Sequence, residues 1–146
     1  MRIFRKMTEQ DVETIAKIEQ DTFADAWTAK GIYETFCGKS SFITVAVDDG
    51  QVVGYCMMYY VMDEGEIARI AVDEAVRRQG VGNGLLDYTF ACCREREITR
   101  VLLDVRESNV SARCFYKKHG FTEDGVRKNF YDLPKEDAIL MSKMLV

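Results

Sequence analysis

Residues 77–86 read RRQGVGNGLL: two arginines, three glycines within five residues, then an apolar run. A glycine cluster entering a helix suits an anion. The first N–H groups of a helix have no intrahelical partner and carry partial positive charge. Glycine lets an anion approach the backbone closely, and Arg77 and Arg78 add full charges. A pyrophosphate fits such a site. Two nucleotide loops fail on spacing. A Walker A loop needs GxxxxGK[ST], and no lysine follows these glycines in that way. A dinucleotide fingerprint needs GxGxxG; Gly80 and Gly82 fill two positions, but the third falls on Leu85. A solvated turn whose arginines serve solubility stays open on the loop alone. Metal chemistry has little to draw on. One histidine and five cysteines (37, 56, 92, 93 and 114) with no C-x-x-C pair leave zinc spacings absent.

The elements around this loop follow from periodicity. Residues 2–6 form a short strand. Thr8, with Asp11 three residues on, reads as a near capping box, and Val12, Ile15, Ala16 and Glu19 recur at helical spacing. A second helix begins after Thr28 and carries Ile32, Tyr33 and Phe36. SFITVAV, a DDGQ turn and VVGYCMMYYV predict a hairpin, since a D-G step suits a two-residue turn. DEG is expected as the next turn and EIARIAV as a third strand. Val81, Leu85, Tyr88 and Cys92 predict a helix over about 80–97. VLLDV (101–105) then follows as a strand parallel to EIARIAV, because a strand–helix–strand crossover returns in the same direction.

SNVSARCFYKKHG is a helix capped by Ser108 or Asn109 and stopped at Gly120, with His119 expected to complement its dipole. GVRKNFYD and EDAILMSKML supply two last strands. The order β-α-α-β-β-β-α-β-α-β-β predicts an α+β fold. Its sheet is mixed but mostly antiparallel, built on a β-α-β core with helices on both faces.

Composition bounds the function. A chain of 146 residues, 47% apolar and 30% charged, reads as one globular domain over residues 1–146. A net charge of −4 argues against a nucleic-acid surface. No run approaches the ~20 apolar residues of a membrane span, and MRIFRKMTEQ has no apolar signal core. Unpaired cysteines suit reduced thiols in the cytoplasm, with Cys92 and Cys93 read as helix packing.

IAVDEAVRRQGVGNGLL resembles the acyl-CoA motif of the GNAT acetyltransferases, [QR]-x-x-G-x-[GA], with Arg77, Gly80 and Gly82 in its fixed positions. LDVRESNVSARCFYKKHGF, VRKNFY and EDAILMSKML resemble the C-terminal half of the bacterial ribosomal-protein-alanine N-acetyltransferases (the RimI type). DTFADAWTAKGI is similar to the F-x-x-x-W-[ST] segment of that branch. Ala26 stands where proline is common, Asp104 where glutamate is usual, and Phe130-Tyr131 where two tyrosines are usual.

The resemblance implies acetyl-CoA as cosubstrate, with no metal. Its pyrophosphate would lie on Arg77, Arg78, Gln79, Gly80, Val81, Gly82 and Asn83, and its pantetheine arm along Ile70, Ala71 and Val72. Asn109 would also contact the cofactor. Tyr116 would be the acid toward the leaving sulfur and Asp104 the base, with Glu66 as its rival. Phe23, Trp27 and Tyr131 would border the acceptor. Cys114, two residues from Tyr116 on a helix, points away from it, which favours direct transfer in a ternary complex. The acceptor implied is a protein α-amine, that of a ribosomal protein beginning with alanine. A small amine (polyamine, amino acid or antibiotic) and a non-catalytic acyl-CoA sensor are the alternatives.

Overall fold

The computed structural model describes residues 1–132 and 134–145. The chain runs β1 (Arg2–Lys6), α1 (Val12–Thr22), α2 (Ala29–Cys37), β2 (Ser41–Asp48), β3 (Gln51–Val61), β4 (Glu64–Val72), α3 (Val81–Glu95), β5 (Arg100–Arg106), α4 (Val110–Lys118), β6 (Thr122–Asp132) and β7 (Lys135–Met144). This is the order expected from the sequence. One seven-stranded sheet has the spatial order β1-β2-β3-β4-β5-β7-β6. Every neighbouring pair is antiparallel except β4–β5, which is parallel across the α3 crossover.

Local chemistry explains the element ends. Asp11 and Thr8 form the capping box, the Thr8 N–H donating to Asp11 Oδ2 at 2.7 Å, although one 3₁₀ turn (Glu9–Asp11) precedes α1. Thr28 Oγ1 caps α2 by accepting from the Gly31 N–H. Asp49 and Gly50, at φ 47° and 86°, make the left-handed two-residue turn between β2 and β3. The turn expected at residues 63–65 lies instead at Met62 and Asp63, with Met62 at φ 54° and Glu64 and Gly65 already in β4. Gly65 serves packing rather than turning: a Cβ there would sit 2.9 Å from Met58 Cε and 3.2 Å from Ile98 Cγ2.

The sheet has a core on each side. Ile15, Ile18 and Ile32 from α1 and α2 pack on Val45, Tyr55, Met57 and Ala71. Val81, Leu85, Leu86 and Phe90 of α3, with Tyr116 of α4, pack on Cys56, Met58, Val101, Leu103 and Ile139. Each fully enclosed Leu or Ile contributes about 1.5–3 kcal/mol. Cys92 and Cys93 are both buried free thiols in the second core. All five cysteines are free, and Cys114 is exposed while Tyr116 is buried.

Candidate functional site

The parting of β4 from β5 organises the site. The two strands pair only over Glu64–Glu66 with Arg100–Leu102. Beyond that row β4 keeps its β3 partner through Val72, while β5 continues against β7 as far as Arg106. A bulge contributes to the divergence. Met58 opposes Ile67 and Met57 opposes Arg69, so Ala68 is an extra residue on β4. Such a residue bends its strand and re-aims its neighbours. Both α3 and α4 start at the end where the strands part, the end at which open α/β sheets hold ligands.

The glycine loop closes this end. Gly80, at φ 78°, is the residue before α3, and a Cβ there would meet nothing within 4 Å. Arg77, Arg78, Gln79 and Gly80 are exposed. Arg77 Nε donates to the Val72 carbonyl at 3.0 Å, and Arg2 holds the Gln79 carbonyl at 3.0 Å and its side chain at 3.2 Å. Three guanidinium-bearing residues therefore gather at one loop beside a helix N-terminus.

The other two glycines have a packing role that their sequence pattern does not show. At Gly82 a Cβ would meet the Phe115 ring at 3.3 Å, and at Gly84 it would meet Phe4 at 2.3 Å. They let α4 and β1 approach α3. Asn83 Oδ1 lies 2.8 Å from His119 Nε2, so that oxygen ties α3 to α4. The helix-dipole reading of His119 is corrected with it. Burial, first, and then the nearby Lys118 and Lys143 lower its pKa, against the opposing pull of Asp87, which favours the neutral ring. Asn109 caps α4, its Oδ1 accepting from the Ala112 N–H at 3.1 Å.

The ionisable residues meet on the α1–α2 side of the sheet. Val101, Leu103 and Val105 fill the α3 core, so strand alternation turns Leu102 and Asp104 to the opposite face. Glu66 lies beside Leu102 in register. Glu66 is exposed at its tip, yet surrounding protein and the like charge of Asp104 raise its pKa, with Arg127 opposing. Arg127 Nε is 3.6 Å from Asp104 Oδ1. Tyr131 lies under the Arg106 guanidinium at 4.2 Å. Its pKa is pushed up to about 12 by burial and by Asp104.

Tyr116 stands on the α4 side and is buried. Burial, chiefly, and the neighbouring Cys56 and Tyr131 raise its pKa, so its phenol keeps its proton at neutral pH. Its ring packs edge-on against Phe115 and Phe121, 5.4 and 5.5 Å between centroids, in the core on that side of the sheet.

Arg69 joins the segment between α1 and α2 to this sheet face. Its guanidinium donates to Glu19 Oε1 at 3.1 Å and Asp25 Oδ1 at 3.0 Å and stacks 4.0 Å over the Phe23 ring. Glu19, fully enclosed, also accepts from the Tyr55 hydroxyl at 2.6 Å and the Trp27 N–H at 2.8 Å. Phe23 therefore belongs with the ionisable group, whereas the Trp27 ring turns toward Tyr59, 6.3 Å between centroids. Sequence reasoning passed over Glu19, Arg69 and Arg127. The signal for the first two was a charge at a core-facing position: Glu19 on the apolar stripe of α1, and Arg69 inside an otherwise apolar run. Among the described residues no group of three or more His, Cys, Asp and Glu is placed to hold a metal, and no helix is long and apolar enough to cross a membrane.

Comparison with known proteins identifies the family. The Acetyltransferase (GNAT) family matches residues 12–121. The [ribosomal protein bS18]-alanine N-acetyltransferase of Haemophilus influenzae is 30% identical, covering 97% of this chain and 98% of its own. A Bacillus subtilis (strain 168) protein provisionally named for the same activity is 35% identical over 94% of this chain and 91% of its own. Among solved structures, the ribosomal-protein-S18-alanine N-acetyltransferase from Escherichia coli superimposes with a TM-score of 0.90 at 28% identity, covering 99% of this chain and 94% of that one.

Proposed function

The chain belongs to the GNAT acetyltransferase family, and from that premise we propose that it acetylates the N-terminal α-amine of alanine on ribosomal protein bS18 in the cytoplasm. It is an acetyl-CoA-dependent N-acetyltransferase. The observation that supports this reading is the parting of β4 and β5, with a cationic glycine loop at one end, Glu66 and Asp104 on one face of the sheet, and Tyr116 in the core on the other.

In this reading the α3 N-terminus with Gly80, Val81 and Gly82 holds the pyrophosphate, and Arg77, Arg78 and Gln79 border it. Gly80 leaves open space, and the first N–H groups of α3 lack intrahelical partners. The Asn83 backbone contributes while its side-chain oxygen stays on His119. The free edge of β4 over Ile70, Ala71 and Val72 pairs with the pantetheine arm, and Asn109 borders it from α4.

The amine arrives from the α1–α2 side. Asp104 takes its proton, directly or through one water, and Glu66 is the rival base on the same face. An α-amine has a pKa near ~8, so it needs less base strength than a lysine at ~10.4. The C–N bond forms and the C–S bond breaks. Tyr116 donates a hydrogen bond to the departing sulfur; its raised pKa suits a donor that stabilises the thiolate without having ionised first. Phe23 and Tyr131 flank the amine, and Trp27 lies farther out. The transfer is direct, since Cys114 is exposed and away from Tyr116.

The test is release of CoA thiol with an octapeptide of the bS18 N-terminus, beginning with alanine, against spermidine, free amino acids and aminoglycosides. Turnover of the peptide with N-terminal acetylation seen by mass spectrometry is expected. Turnover of a small amine alone supports the second reading. Binding of CoA with no thiol release from any amine supports the sensor.

A further inference from the structure

A second recess lies beside the ionisable cluster. It is a cleft of about 570 Å³ between α2 and the β2–β3 edge, lined by Trp27, Gly31, Glu34, Lys39, Ser41 and Tyr59 among others. That volume lies within the range of small-molecule sites. The walls are built rather than incidental. The Tyr59 hydroxyl and Thr35 Oγ1 are 2.6 Å apart, Ser41 Oγ donates to the Thr35 carbonyl at 2.6 Å, and the Trp27 ring stands near Tyr59.

The cleft adjoins the proposed reacting centre through Tyr59, which lines it. Tyr59 is the cross-strand partner of Glu66, and directly opposed side chains lie about 5 Å apart. Side chains stand on the other sides of that centre. Arg69 clamps Asp25 and Phe23 over the upper half of β4, and Tyr131 with Arg106 stands over β5. Glu66 and Tyr59 remain exposed between them. A polypeptide whose first amine lies at Glu66 and Asp104 therefore has an uncovered path past Tyr59 into the cleft. An extended residue spans about 3.3–3.6 Å, so the path is reached within the first few residues.

We propose that the cleft between α2 and the β2–β3 edge is a downstream acceptor subsite, which takes the polypeptide beyond its first two residues against Trp27 and Tyr59. This rests on the protein-acceptor reading above. It assigns Gly31 a purpose: without a side chain on that face of α2 the cleft stays open, and a Cβ there would meet only Thr28 Oγ1, at 3.5 Å.

The experiment compares an alanine-initiated dipeptide amide with the octapeptide of the same start, using the full chain. The octapeptide KM is expected to be about tenfold lower, equivalent to ~1.4 kcal/mol. Gly31→Leu, which fills the cleft from a helix face, is expected to raise the octapeptide KM to the level of the dipeptide. It leaves dipeptide turnover and the acetyl-CoA KM unchanged. Ser40→Trp fills the same space from the loop before β2 and should do likewise, which guards against a folding defect in one variant. Equal KM values for the two peptides, or an octapeptide advantage that survives both variants, overturns the subsite and leaves the protein-acceptor reading standing. Acetylation of neither peptide overturns both.

Discussion

Glu19→Gln tests the link between the hidden carboxylate and acceptor binding. Glu19 is 0% exposed and accepts from three donors: Tyr55 OH and Arg69 Nε on Oε1, and the Trp27 N–H on Oε2. Glutamine keeps the shape but turns one oxygen into a donor. In the better orientation Oε1 stays a carbonyl, and the new NH₂ faces the Trp27 N–H. Two donors, the Trp27 N–H and the new NH₂, then face each other without an acceptor, at about 1–3 kcal/mol, and two bonds lose charge assistance. Arg69, 15% exposed, also loses its buried counter-charge. The sum falls near ~3 kcal/mol, at the low end for breaking a buried pair. For a chain of this size that lowers Tm by about 10 °C.

Function should shift with it. Release of the Trp27 N–H loosens the segment that carries Phe23 and Asp25, so the acceptor KM should rise severalfold. The acetyl-CoA KM should hold, because the loop at residues 77–80 is anchored by Arg2 and Val72 instead. Thermal melts by circular dichroism, with kinetics taken well below the lower Tm, give both readings. A Tm loss under about 3 °C, or KM values for acceptor and acetyl-CoA that rise equally, would refute the reasoning.

The chemistry and the loop make separate predictions. Asp104→Asn and Tyr116→Phe should each lower kcat by about 10²-fold or more while isothermal titration finds acetyl-CoA affinity unchanged; full turnover by Asp104→Asn passes the role of base to Glu66. The raised pKa of Glu66 means that the native state disfavours its charge. That cost is absent below the unfolded carboxyl pKa of ~4.3 and complete above the folded value. Glu66→Gln should therefore raise Tm at pH 7–8 and not below about pH 4, and a gain independent of pH would count against the shift. Gly84→Ala drives a methyl into Phe4 and should cost about 1–3 kcal/mol of stability without changing the acetyl-CoA KM. Gly80→Ala should instead raise that KM, because it strains the left-handed residue that opens the loop.

Most of the fold was legible because local chemistry and periodicity agreed. Thr8 with Asp11, Thr28 with Gly31, Asp49-Gly50 and Gly120 each mark an element boundary through a bond or a backbone angle set within a few residues. The glycine loop was legible as a place but not as a set of roles. Gly80, Gly82 and Gly84 look alike in the sequence, yet one turns left-handed and two admit Phe115 and Phe4 from elements far along the chain. Gly65 misled for the same reason: its demand for a small residue comes from Met58 and Ile98, not from its own turn.

By itself the sequence determined the order of elements, the parallel crossover and the family resemblance carried by Arg77, Gly80, Asn109 and Tyr116, since each depends on residues close together in the chain. Tertiary structure alone decided the site. The extra residue at Ala68, the early end of β4–β5 pairing and the meeting of Glu66 with Asp104, Arg127 and Tyr131 depend on the register of strands up to 65 residues apart. The same is true of Glu19. Its place on the apolar stripe of α1 reads locally as a flaw, and only the donors brought by Tyr55, Arg69 and Trp27 turn it into the anchor of the segment between α1 and α2.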